Sequence, residues 1–112
     1  MSACRSAQPV VVGFGRSGVL GQGDCQLQSG EYADRWRLDL SSGRTVQIDV
    51  ESFDFDTYVI VTDLQGRVIA QDDDGGTDFN AHLVLALNAG SYIVWATSAR
   101  PGQAGAYDLW VQ

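Results

Sequence analysis

In the segment 34–40, DRWRLDL, apolar and charged side chains take turns. Trp36, Leu38 and Leu40 share one parity; Arg35, Arg37 and Asp39 share the other. Successive side chains of a β-strand point to opposite faces, so this is the pattern of a strand with one face in water. It returns in TVQIDVE, with Val46, Ile48 and Val50 on one face, and in AHLVLAL, with Leu83, Leu85 and Leu87. TYVIVTD is apolar on both parities from Tyr58 to Val61, which predicts a central strand covered on both sides. SYIVWATS and AYDLWVQ follow, and SSGR, LQGR, NAG and PGQAG supply turns between the segments. About eight short strands, spaced by turns every 8–12 residues or so and with no helical apolar period, predict an all-β chain. The architecture expected is an antiparallel β-sandwich or jelly roll.

A chain of 112 residues with 45% apolar content has room for one domain with a real core. Residues 1–9 are expected to be a flexible segment and 10–112 the domain. No window approaches ~18 consecutive apolar residues, so no membrane span is expected. The first fifteen residues lack the charged start and apolar stretch of a secretory signal, so either the protein is cytoplasmic or the signal lies outside this chain. Twelve Asp, two Glu, seven Arg and no Lys give a net charge of −7, which repels nucleic-acid phosphates and anionic lipid. The excess of Asp over Glu marks turns and loops, where the short side chain bonds nearby amides. Cys4 and Cys25 form either one disulfide, worth about 2–4 kcal/mol, or two free thiols.

One motif suggests a different protein. PVVVGFGRSGVLG, residues 9–21, places Gly13, Gly15 and Gly18 in the G-x-G-x-x-G spacing of a dinucleotide-binding turn. That reading needs a helix after Gly18, whose amides and dipole would hold the pyrophosphate. The residues that follow, VLGQGDCQLQSGEY, hold three more glycines and no amphipathic face. Each glycine costs a helix interior about 1 kcal/mol. The glycines are therefore assigned to bends of the backbone, with Gly13 and Gly15 turning the chain into an edge strand that begins near Gly18.

Six marks occur in order along the chain: G-x-L at 18–20 followed by Asp24, Y-x-D-x-W at 32–36, FDTY at 55–58, DDDGG at 72–76, AGSY at 89–92 and GAYDLWV at 105–111. Together they resemble the bacterial pre-peptidase C-terminal domain, a module appended to many secreted peptidases and related to collagen-binding domains of clostridial collagenases. The resemblance covers about residues 10–112. It implies a jelly-roll sandwich, no catalysis, an extracellular or periplasmic location, and a role in secretion, targeting or attachment to a protein or polysaccharide surface. Some relatives bind calcium or collagen, so calcium is the one cofactor it suggests.

The residues themselves argue against an enzyme. A nucleophilic triad needs a base, and the chain offers only His82, at the parity opposite the leucines of its strand, with no Lys. Calcium takes six to eight or so oxygen ligands, and clustered Asp on loops supplies them. The candidates are Asp72, Asp73, Asp74 and Asp78, with Asp56 and Asp34 as the further pair. An EF-hand is excluded, because Thr77 and Leu83 stand where its Gly and Glu belong. Asp34 and Asp56 sit in the Y-x-D and FDTY marks and read first as a structural pair, staples that bond loop amides. If Tyr92, Val94, Tyr107 and Leu109 face the core, Trp95 and Trp110 project outward as candidate binding residues. A binding module and a purely structural or removable maturation module are the two functions carried forward.

Overall fold

In the computed structural model, which describes residues 7–21, 25–72 and 80–112, every regular element is a strand. They are β1 (Gln8–Val10), β2 (Phe14–Leu20), β3 (Cys25–Gln26), β4 (Tyr32–Leu40), β5 (Arg44–Glu51), β6 (Thr57–Asp63), β7 (Val68–Asp72), β8 (Ala81–Leu87), β9 (Gly90–Ser98) and β10 (Gly105–Val111). One sheet runs β1-β4-β9-β6-β7, with β3 also on β4; the other runs β2-β10-β5-β8. Without β1 and β3, the eight remaining strands have the order of a jelly roll, first-last-third-sixth against second-seventh-fourth-fifth. The two extra strands are short additions to the β4 edge. β1 starts inside the segment expected to be flexible: Gln8 and Pro9 pair in parallel with Trp36 and Arg37.

The alternation read from the sequence decides which side chains meet between the sheets. Leu38, Val59, Val61, Val94 and Ala96 from one sheet face Ile48, Val50, Leu109 and Val111 from the other, all fully buried. Each such aliphatic residue contributes roughly 1.5–3 kcal/mol relative to exposure. An exposed ion pair such as Arg67–Asp63 contributes about 0–1 kcal/mol. The sandwich is therefore held by its aliphatic layer.

Two polar links cross that layer. Thr57, on β6, donates its hydroxyl to the Val50 carbonyl at 2.8 Å and accepts the Ala81 amide at 2.7 Å, so one buried side chain ties β6 to β5 and β8. Tyr107, 2% exposed on β10, makes the other. Its hydroxyl accepts from the Trp36 indole at 2.9 Å and donates to Asp34 at 2.6 Å, both on β4.

The glycine motif takes its meaning here. Gly13, at φ 94°, is the third residue of a tight turn closed by the Phe14 amide on the Val11 carbonyl at 3.1 Å, a position that favours glycine. Gly15 does not bend the chain as the sequence suggested. It is the second residue of β2 and pairs with Trp110, while Gly18 pairs with Tyr107. A side chain at Gly18 would stand where the Tyr107 phenol lies, and one at Gly15 where the Trp110 ring lies. The strand lacks side chains there because two aromatic rings occupy the space, one on each face.

Gly18→Ala should lower the unfolding free energy in urea by about 1–3 kcal/mol, since Tyr107 is bonded on both sides and has nowhere to move. An unchanged midpoint would show that the phenol is not fixed.

Candidate functional site

The outer face of the β2-β10-β5-β8 sheet carries rows of cross-strand neighbours. One row reads Gly15, Trp110, Asp49, His82; the next reads Ser17, Asp108, Glu51. Trp110 is 43% exposed. A Cβ at Gly15 would lie 2.5, 2.6 and 2.9 Å from three adjacent carbons of its six-membered ring. Such near-equal distances mean the ring lies face down on β2, with its other face outward. The ring is a platform fixed to the sheet.

The polar residues around it are partly satisfied among themselves. Ser17 donates its hydroxyl to Asp108 at 2.6 Å. The His82 ring nitrogen Nδ1 bonds Asp49, and the Gln47 amide reaches the other Asp49 oxygen at 3.3 Å. His82 is thus a solvent-side strand residue, as its parity predicted. Asp108 and Glu51 stand directly opposite each other on neighbouring strands, and no Arg among the described residues forms an ion pair with either. Like charges in that position repel.

Beside this face, an open depression is lined by Val19, Glu51, Phe53, Asp108 and Trp110. Phe53 is fully exposed, whereas Phe55, two residues on, is buried against Tyr107. The segment that holds Phe53 out is pinned to the sheet. The Ser52 amide donates to the Asn80 side chain at 3.0 Å and the Ser52 hydroxyl to the Ala106 carbonyl at 2.7 Å. The Ala106 amide donates to the Asp54 carboxylate at 2.9 Å. Gly105, at φ 141°, leaves room for that carboxylate, which a side chain there would strike. An exposed phenylalanine on a pinned segment is presented to solvent.

The residues expected from the sequence are distributed differently. Trp95 projects outward as predicted, but on the other sheet, so it and Trp110 share no surface. Its indole donates to Thr62 at 3.0 Å and Arg35 lies 5.2 Å over its ring, leaving it half-buried. Asp34 takes the Tyr107 hydroxyl, and the carboxylate that pins the loop to β10 is Asp54. Asp72 ends β7 and accepts the His82 amide at 3.1 Å, which joins the edges of the two sheets. Asp73, Asp74 and Asp78, like Asp24 and Cys4, lie outside the described residues. Among the described residues no group of three or more His, Cys, Asp or Glu is placed to hold a metal ion, so Asp34, Asp56 and Asp72 do not make a cation site between them. Cys25 is disulfide-bonded. Phe53, Glu51 and Asp108 were not singled out from the sequence. The only signal for Phe53 was the doubled FDFD, which does not say which ring turns out.

On the opposite outer face, carboxylates are matched. Arg37 bonds Asp39 at 3.0 Å and the Ser91 hydroxyl donates to the same oxygen at 2.6 Å. The Ser91 hydrogen bond, and after it Arg37, holds the Asp39 carboxyl below its ordinary range. The folded value lies below the unfolded one, near 3.8, so any stabilisation from this cluster is present above that pH and is lost as pH falls through the folded value. A carboxyl chemical-shift titration should place the Asp39 midpoint below the ordinary Asp value, and Ser91→Ala should raise it. A midpoint unmoved by Ser91→Ala would show that the hydroxyl is not its main partner.

Asp54→Ala should remove the hydrogen-exchange protection of the Ala106 amide while β5 and the rest of β10, Tyr107 to Val111, keep theirs; protection unchanged at Ala106 would mean that the loop is held by something else.

No protein-family model matches the sequence, and no curated protein matches it. Among solved structures, the chain is similar over its full length to the pre-peptidase C-terminal domain of a collagenase from Bacillus anthracis, with TM-score 0.76, 16% identity and full coverage of both chains. The chain therefore has the fold of that pre-peptidase C-terminal domain, the sandwich that the six marks in the sequence implied.

Proposed function

We propose that this chain is a non-catalytic accessory domain of the extracellular or periplasmic space that attaches to a protein or polysaccharide surface through the outer face around Trp110. The observation that carries the reading is the pairing of a fixed, outward-facing indole with a fully exposed phenylalanine on a pinned loop. Exposed aromatic side chains in rigid settings supply contact area at low entropic cost, and such residues dominate binding energies. The shared fold with a collagenase accessory domain supports attachment to a peptidase as the setting. The disulfide at Cys25 supports an oxidising compartment. No helix among the described residues is long and apolar enough to cross a membrane.

The test is retention of a fluorescent fusion of the full chain on insoluble matrices, protein (gelatin, elastin) and polysaccharide (cellulose, chitin). Retention on at least one, lost in Trp110→Ala and in Phe53→Ala, is the expected result. A fusion that washes through every matrix, or that binds equally well without Trp110, would favour a structural or maturation module with no ligand of its own.

Calcium is proposed for one place only, the segment that begins at Asp72 and continues through Asp73, Asp74 and Asp78. The support is the density of carboxylates there and the expectation from the family resemblance. Millimolar calcium, against a chelator, should raise the melting temperature by several degrees, and Asp73→Ala with Asp74→Ala should abolish the rise. Equal melting in both conditions would remove calcium from the account.

A further inference from the structure

Three tryptophans occur in the chain, and two of them carry an arginine of their own. Arg16 lies 5.2 Å over the Trp36 ring, and Arg35 lies 5.2 Å over Trp95. A guanidinium over an indole face is attracted by the ring's quadrupole, by about 0.5–1 kcal/mol at exposed sites and more where water is excluded. Trp110 is the exception. Its ring has one face on Gly15 and the other in solvent, and among the described residues no guanidinium lies over it.

The neighbours of the bare ring are carboxylates. Asp49 stands beside it on β5, Asp108 lies two residues before it on β10, and Glu51 is opposite Asp108. The Asp108–Glu51 juxtaposition is unfavourable by itself, and the opposite outer face shows how the fold otherwise handles such a charge, with Arg37 against Asp39. A planar cation seated over Trp110 would stack on the indole and place its donors toward Glu51 and Asp108. Arginine suits this better than lysine, because its guanidinium both stacks and forms paired hydrogen bonds to carboxylate.

The geometry points to an arginine-bearing segment of a second polypeptide as the occupant of the Trp110 face, its guanidinium stacked on the ring and its donors turned toward the Asp108–Glu51 row beside it. This rests on the attachment face described above and names its partner. Charge complementarity selects it: the depression beside the ring is lined by Glu51, Asp54, Asp56 and Asp108 against Arg100, the chain has net charge −7, and a neutral sugar ring would leave the Asp108–Glu51 repulsion in place.

The experiment uses the full chain and an acetylated, amidated Gly-Arg-Gly repeat peptide, with its citrulline counterpart as the uncharged isostere and cellohexaose as the sugar probe. The Trp110 indole N–H resonance and, in every variant, the backbone amides of β2, β5 and β10 are followed by NMR. The indole resonance should move on titration with the arginine peptide and not with the citrulline peptide, and high salt should weaken the effect. Trp110→Ala and Glu51→Gln with Asp108→Asn should each weaken binding about tenfold. Gly15→Val, which keeps the tryptophan but displaces its ring from the strand, should do the same while the dispersion of the core resonances is retained. Equal response to citrulline, response to cellohexaose alone, or no response to the arginine peptide would each overturn the inference. Matrix retention that needs Trp110 alongside any of these results would leave the attachment face standing with a different partner. Loss of both would remove the face as well.

Discussion

The phenol of Tyr107 is where the two sheets agree on their relative position. It leaves β10, passes over Gly18 of β2 and ends between the Trp36 indole and the Asp34 carboxylate of β4. Aliphatic burial supplies most of the driving force, but apolar contact is non-directional and tolerates sliding of one sheet over the other. A buried hydroxyl with a donor on one side and an acceptor on the other does not, because displacement leaves two or three polar groups without partners, each costing about 1–3 kcal/mol. Thr57 repeats the device toward the other edge. Registration of the sheets in turn fixes the outer face, since β10 carries Tyr107 inward and Trp110 outward three residues later.

What the sequence made legible was what depends on neighbours along the chain. Parity placed Leu38, Ile48, Val94 and Leu109 in the core and Trp95, Trp110 and His82 outside, because a period of two is a local property. Six marks in order gave the jelly roll. What it did not make legible depends on register between distant segments. That Trp110 lies opposite Gly15, or Tyr107 opposite Gly18, requires β2 and β10 to be aligned, and no hairpin joins them to set that alignment. The Y-x-D mark offers Asp34 as a cation ligand or a loop staple, whereas its even parity in β4 turns it toward the Tyr107 hydroxyl. Asp54, in a stretch with no period, carried no sign that it would hold β10. Phe53 and Phe55 look alike in FDFD and end up in opposite environments.

The G-x-G-x-x-G spacing shows how a motif can be genuine in its physics and misleading in its name. Each of its glycines is required: one for a positive φ, two because an aromatic ring fills the space a side chain would take. The residues that follow Gly13 form strand β2, not the helix N-terminus that would hold a phosphate. In a nucleotide-binding turn the same residues let a backbone approach a ligand closely; here the close approach is made by the protein's own rings, and one of those rings becomes the exposed platform.

Strand β10, the last of the ten, is an interior strand of its sheet, paired on one side with β2 and on the other with β5. The contact between Ser17 and Asp108 spans 91 residues. During synthesis β2 therefore has no partner, and the sheet no centre, until β10 is present. Chains whose pairings are this remote in sequence fold slowly, because loop closure must precede the contacts that reward it. The β2-β10-β5-β8 sheet is consequently completed only when β10 is inserted between β2 and β5, after every other strand of the sandwich has been made.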